Sequence, residues 1–137
     1  MKVRYEKEIT VEMCRANPDA IFIFGDNLIH KGKAPGSGQA VIRDEPNAMG
    51  IPTKRVPSNK PEAFFSDTEE EIKAVRDALA EIYKRARGRT VIFPADGIGT
   101  GRARMKLKSP RAWDRMNHIL DEHFNIQNAG YTSSPKP

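Results

Sequence analysis

The chain has 137 residues, a formal net charge of +5 and a single cysteine, Cys14. Hydrophobic residues make up 38% and charged residues 30% of the chain, which indicates one globular domain rather than a disordered protein. One cysteine excludes an internal disulfide framework, and the three histidines lack metal-ligand spacing, so we expect a cytoplasmic protein without metal or cofactor. No apolar stretch is long enough to span a membrane and the first residues lack a signal-peptide core, so we expect no membrane association.

The first half of the chain predicts two strands and a glycine-rich loop that opens a short helix. Residues 2–5 alternate polar and apolar as in an edge strand, whereas the continuous apolar run at residues 20–24 predicts a buried central strand. A polar turn at residues 25–27 ends that strand. Farther along, glycines within residues 36–38 lead into a predicted helical turn at residues 39–43, an arrangement that can present free N–H groups to a phosphate.

A long amphipathic helix is predicted next. Capping residues and acidic side chains at residues 66–70 mark its start, and it is expected to end near Arg87, before a glycine. The three first-turn acids, Glu69, Glu70 and Glu71, are expected at the solvated surface or as caps rather than in a site.

The remaining elements are a second buried strand, a glycine loop and a final helix. The apolar run at residues 90–93 predicts the strand, and three glycines within residues 97–101 predict a loop whose backbone can approach a ligand closely. Serine followed by proline predicts a helix over residues 109–124. Residues 126–127 fit a last short strand.

Strands that alternate with helices predict one α/β domain with a mostly parallel sheet. We expect this domain to span residues 1–130 and residues 131–137 to form a flexible C-terminal tail. Because open α/β sheets bind ligands at the carboxyl ends of their strands, the two glycine-containing loops are expected to face each other across one pocket.

A basic run without acidic residues follows the second glycine loop. Its members are Arg102, Arg104, Lys106, Lys108 and Arg111. The run fits a solvated basic loop, or a surface for a phosphate-bearing partner, which the net positive charge also favours. Nucleic acid is the weaker alternative, since no aromatic residues interleave with these cations to stack on bases.

The motifs around the two buried strands follow a characteristic order. They are Glu8-Ile9-Thr10, Asp19-Ala20-Ile21-Phe22, Asn27, Gly36-Ser37-Gly38-Gln39-Ala40, and Phe93-Pro94 followed by Asp96-Gly97-Ile98-Gly99-Thr100-Gly101. In this order they resemble the macro domain, the ADP-ribose-binding module, in a divergent form of the kind found among small bacterial and phage proteins. The resemblance covers most of the chain and implies a three-layer macro-like domain with a mostly parallel mixed central sheet flanked by helices.

The resemblance also implies a ligand, namely ADP-ribose or a related nucleotide diphosphate held between two glycine-rich loops. The ligand-binding residues would be Glu8, Gly25, Gly36, Ser37, Gly38, Gln39, Asp96, Gly97, Ile98, Gly99, Thr100 and Gly101. Glu8 would accept a hydrogen bond from the adenine amino group, and loop N–H groups would hold the diphosphate. Asp26 and Asn27 would be catalytic residues at the distal ribose, with Asp26 positioning a water that hydrolyses an ADP-ribosyl linkage.

The residues leave three functions open. The first is a glycohydrolase-type ADP-ribosyl hydrolase, and the second is a non-catalytic module that binds or sequesters a nucleotide. The third is a basic nucleic-acid-binding protein. Asp26 and Asn27 are equally typical of a turn that satisfies its own backbone, and Asp96 can simply fix the second loop. The oligomeric state does not follow from the sequence.

Overall fold

The computed structural model describes residues 1–33 and 38–132. Within these residues the strands are β1 (Lys2–Glu6), β2 (Ile21–Asn27), β3 (Ala48–Lys54) and β4 (Thr90–Pro94). The helices are α1 (Val11–Ala16), α2 (Glu69–Arg85), α3 (Met105–Lys108) and α4 (Pro110–Phe124), with short 3-10 helices at Gln39–Ile42 and Pro61–Ala63. None of the helices in the described ranges combines the length and apolar character needed to cross a membrane.

The strands form one sheet in the order β1-β4-β2-β3, and each paired strand runs parallel to its neighbour. The predicted α/β class with a mostly parallel sheet is therefore confirmed. An antiparallel bridge between Lys54 and Phe64 adds a single irregular contact beside β3. Because all four strands are parallel, their carboxyl ends lie along one edge of the sheet, where such folds place their ligands.

Helices cover both faces of the sheet, which gives three layers. Ile21 and Ile23 of β2 pack into a large cluster with apolar residues of α2 and α4. The alternate residues Phe22 and Phe24 pack on the opposite face with Cys14 of α1 and with the 3-10 helix at Gln39–Ile42. Side chains that are apolar on both faces explain why β2 reads as an uninterrupted hydrophobic run in the sequence.

The start of α2 differs from the sequence expectation for one residue. Thr68 and Glu71 form a capping box, as the pattern of residues predicts. However, Glu71 is buried rather than solvated, because its carboxylate also accepts hydrogen bonds from the Ser66 N–H at 2.8 Å and from Arg55 Nε at 2.5 Å. Burial acts to raise the pKa of Glu71, but Arg55 and the N–H groups of Thr68 and Ser66 outweigh it and lower that pKa.

The C-terminal segment also differs, since no strand forms at residues 126–127. Asn125 ends α4 in the left-handed conformation, with φ of 54°, and thereby turns the chain back toward the core. Ile126 is buried there, and the chain continues as an irregular segment through Asn128. Tyr131, assigned by sequence to the tail, packs partly buried against the core; residues 133–137 lie outside the described residues.

Candidate ligand-binding cleft

A cleft of about 670 Å³ opens at the carboxyl ends of β2, β3 and β4. Both expected walls contribute to it. The predicted site residues that line it are Gly25, Asp26, Asn27, Gly38, Gln39, Asp96, Gly97, Gly99, Thr100 and Gly101. Gly36 and Ser37, which were also predicted to bind ligand, lie outside the described residues.

Glu8 lies in a smaller pocket of about 360 Å³ that adjoins the cleft. Gln39 and Asp96 line both spaces, so they mark the boundary between them. Ile98 lines neither, because its side chain is fully buried in the core. Its backbone N–H donates to Asn128 Oδ1 at 2.8 Å and its carbonyl accepts from Asn128 Nδ2 at 3.0 Å, so these backbone groups are engaged within the protein.

The side-chain amide of Gln39 joins the two walls of the cleft. Its oxygen accepts from the N–H of Gly25, near the end of β2, at 2.9 Å, and its Nε2 donates to the Gly97 carbonyl, beyond β4, at 2.9 Å. Gln39 is thus a structural link between the two loops as well as part of the cleft surface.

Two glycines in the second loop are required by its geometry. Gly97 and Gly99 have φ of 89° and 78°, values that residues other than glycine rarely adopt. A Cβ on Gly97 would lie 2.7 Å from Asn128 Oδ1, and a Cβ on Gly99 would overlap Met105 Sδ. The loop is therefore fixed between Asn128 on one side and Met105 on the other.

The same loop leaves backbone donors unused. The N–H groups of Gly99, Thr100 and Gly101 donate to no acceptor among residues 1–33 and 38–132. The Thr100 hydroxyl is engaged, because it donates to the Asp96 carbonyl at 2.7 Å. Consecutive unused N–H groups in a glycine loop form the kind of concavity that binds anions.

Asp26 is buried and its carboxylate bonds to protein groups. One oxygen accepts from the Asn27 N–H at 2.7 Å and from Arg43, and the other contacts His30 Nδ1 at 2.7 Å. The carboxylate also packs against Gly50, where a Cβ would clash with it. Asp26 lies within β2 rather than in the predicted turn, and these contacts give its carboxylate a structural role.

Asn27 uses its side chain in the same way. Its Nδ2 donates to the Lys31 carbonyl at 2.8 Å, and its Oδ1 accepts from the Ile29 N–H at 3.1 Å. Both ends of the amide therefore stabilise the loop that follows β2.

Arg43 holds that loop from the other side. Its side chain is 12% exposed; Nε donates to the Gly32 carbonyl at 2.8 Å, and the guanidinium lies 5.3 Å from the centre of the Phe24 ring. A mostly buried arginine that bonds Asp26 and a backbone carbonyl is a structural element of the cleft wall. The sequence offered Arg43, like Lys54, as a possible phosphate partner or an ordinary surface cation, and its pairing with Asp26 could not be predicted because the two residues are 17 positions apart.

Three cations that line the cleft, Lys31, Lys54 and Arg102, lack a carboxylate partner within the described residues. Lys54 Nζ donates to the Ser58 carbonyl and to Asn59 Oδ1 at 3.3 Å. Burial, and then the charge of Arg102, lowers the pKa of Lys54 below its usual value. Arg102 is the member of the basic run that faces the cleft.

The rest of the basic run is dispersed. Lys108 Nζ lies 5.3 Å from the centre of the Phe64 ring, and Arg111 pairs with Glu69 at 3.1 Å. These two cations are thus committed to protein groups and do not extend the cleft surface as a continuous basic strip.

A model described as a family of unknown function, DUF7831, matches residues 4–119 of the chain. This range includes all the residues that line the two pockets, whereas Asn128 lies beyond it. Comparison with curated proteins and with solved structures found no match. The family model covers most of the chain, and the protein therefore belongs to the DUF7831 family.

Proposed function

We propose that the protein binds ADP-ribose or a related nucleotide diphosphate in the cleft, with the diphosphate against the loop at residues 97–101. The observation that carries this proposal is the set of unused N–H groups at Gly99, Thr100 and Gly101 in a loop that lines the cleft. Backbone donors fixed in advance bind phosphate oxygens without a further ordering cost.

The adenine would occupy the smaller pocket. Its lining includes Glu8, whose carboxylate suits an exocyclic amino group, and the apolar residue Ile9, which suits the face of a base. Because this pocket adjoins the cleft at Gln39 and Asp96, a base in it would connect directly to a diphosphate at the glycine loop.

The contacts of Asp26 favour binding over hydrolysis. A carboxylate that positions a water must be accessible to it, whereas the Asp26 side chain is only 6% exposed and both of its oxygens already bond protein groups. We therefore propose the non-catalytic member of the two nucleotide-binding hypotheses, in which the ligand is bound or sequestered intact.

Calorimetry with ADP-ribose, ADP and AMP tests the proposal. We expect ADP-ribose and ADP to bind, and AMP to bind more weakly because it lacks the second phosphate. ADP-ribose recovered after incubation should be unchanged by chromatography. Absence of binding by all three nucleotides would refute the proposed function.

A variant pair tests the orientation of the base. Glu8→Ala should weaken ADP binding by about 10-fold or more, since a hydrogen bond to a charged group contributes about 1.5–3 kcal/mol. Inosine diphosphate, which lacks the amino group, should lose little affinity with the same variant. Glu12→Ala, which removes an exposed carboxylate from nearby α1, is the matched control and should leave both affinities unchanged.

A further inference from the structure

We propose that Lys54 and Arg102 form a second anion-binding subsite in the cleft, beside the glycine loop and toward the end of β3. It would take an additional anionic group of the ligand, a phosphomonoester or a carboxylate. The position of this group relative to the nucleotide rests on the proposed function, whereas the existence of the subsite does not.

The order of the strands separates the two ends of the site. Glu8 follows β1, at one edge of the sheet, and Lys54 ends β3, at the opposite edge. The glycine loop follows β4 and lies between them. Three strand spacings of about 4.8 Å place β1 and β3 roughly 14 Å apart, so a nucleotide diphosphate anchored at Glu8 extends toward Lys54.

Lys54 is held in position and retains donor capacity. Its ammonium donates to the Ser58 carbonyl and Asn59 Oδ1, and lies 5.1 Å from the centre of the Phe64 ring. An ammonium has three N–H donors, so one remains for a ligand. Arg102 retains its whole guanidinium, since no partner for it occurs in the described part of the chain.

The electrostatics of the pair favour an anion between them. Lys54 and Arg102 both line the cleft, and burial, followed by the positive charge of Arg102, lowers the pKa of Lys54. The carboxylates of the cleft do not offset that charge: Asp26 pairs with Arg43 and His30, and Asp96 lies at the boundary with the smaller pocket. A ligand anion would replace repulsion by two charge-assisted hydrogen bonds.

Titration of inorganic phosphate, followed by NMR of backbone amides, tests the subsite in the presence of saturating ADP. We expect phosphate to bind to the ADP complex and to perturb residues 102–103 and 54–59. Arg102→Met should weaken this binding by about 10-fold, as loss of a charge-assisted hydrogen bond predicts. Lys106→Met, which removes an equal charge from an exposed residue outside the cleft lining, should change it less than 2-fold.

Two further variants separate binding from folding. Lys54→Met should weaken phosphate binding as Arg102→Met does, and Lys54→Arg should restore most of it by returning the charge. Thermal unfolding of Arg102→Met should match wild type, since Arg102 is exposed. Equal phosphate affinity in Arg102→Met, Lys106→Met and wild type, or no binding of phosphate at all, would overturn the proposal.

The same experiment distinguishes the subsite from the proposed function. If ADP does not bind, phosphate titrated into the free protein still depends on Arg102 when the subsite exists. Repeating the titration with acetate identifies the anion: binding of phosphate alone indicates a phosphomonoester, and comparable binding of acetate indicates a carboxylate.

Discussion

Asp26 lines the cleft, and its carboxylate bonds Asn27, His30 and Arg43. Its position after a buried strand suggested chemistry, and the structure puts it in the lining of the cleft. Its side chain is only 6% exposed, however, and it carries the charge that balances the buried guanidinium of Arg43. The sequence could not reveal this pairing, because the two residues are 17 positions apart and meet through the tertiary fold.

Asp26→Asn should therefore reduce stability more than it alters ligand chemistry. Removing one charge of a buried pair leaves the other uncompensated, and we expect a loss of about 3 kcal/mol in the free energy of unfolding. Urea denaturation measures it. His30→Ala, which removes a partner that is 68% exposed, should cost less than about 1 kcal/mol. Equal stability of Asp26→Asn and wild type would contradict the structural role.

The second glycine loop offers a sharp comparison between two neighbouring glycines. Gly99→Ala combines a positive φ with overlap at Met105, so we expect destabilisation of about 3 kcal/mol. Gly101→Ala introduces a Cβ with nothing within 4 Å and should be close to neutral. Thermal unfolding of both variants checks the prediction, and similar melting temperatures would show that the loop adapts.

At the scale of elements, apolar runs predicted β2 and β4 well because buried parallel strands need hydrophobic side chains on both faces. The predicted strand at residues 126–127 was wrong. Ile126 is apolar because its side chain packs into the core from an irregular segment. The hydrophobicity of two or three neighbouring residues cannot distinguish such a segment from a strand. Asn128 was missed for a related reason, since its contacts with Ile98 span 30 positions.

Helix α4 has a cap supplied from elsewhere in the chain. Ser109 occupies the N-cap position, but its hydroxyl donates to the Met105 carbonyl. The Asp67 carboxylate instead accepts from the N–H groups of Arg111 and Ala112, at 3.0 and 2.9 Å. The residues before α2 thus stabilise α4, which favours the observed packing of the two helices.

Asp67→Ala should reduce the free energy of unfolding by about 1 kcal/mol, because it removes two first-turn acceptors from α4. Asp77→Ala, an exposed change in the middle of α2, is the control and should have a smaller effect. Chemical denaturation with circular dichroism measures both. If Asp77→Ala is as destabilising as Asp67→Ala, the contact of Asp67 with the first turn of α4 does not contribute to stability.

At the scale of the whole molecule, folding should depend on pH through Glu71. Its folded pKa lies below the ordinary value of 4.5, so the unfolded chain takes up the proton first. The stabilisation is complete above about pH 4.5 and is lost as the pH falls through the lowered folded pKa. Glu71→Gln should be less stable by about 2 kcal/mol at pH 7 and lose less stability on acidification.

Denaturation midpoints at pH 7, 4.5 and 3 check this prediction. Glu70→Gln, an exposed neighbour in the same turn, provides the control and should follow the wild-type pH dependence. If wild type and Glu71→Gln lose the same stability between pH 4.5 and pH 3, other carboxylates govern the sensitivity to acid.

The candidate site as a whole was predictable in outline and not in detail. Glycine-rich loops after two buried strands indicated a shared cleft, because parallel strands end at the same edge of a sheet. The groups that shape it, such as Arg43 and Lys54, have no local sequence signal. Their burial and charge environment come from partners that only the folded chain brings together.

The side chain of Gln39 sets the distance between the two walls of the cleft, because it bonds both of them. Its amide spans from the Gly25 N–H to the Gly97 carbonyl, so the opening is matched to a two-methylene amide. Asparagine is too short to reach both groups, and glutamate presents no donor to the carbonyl. The width of the cleft is therefore tied to a residue outside the sheet, where a single substitution would change it without altering a strand.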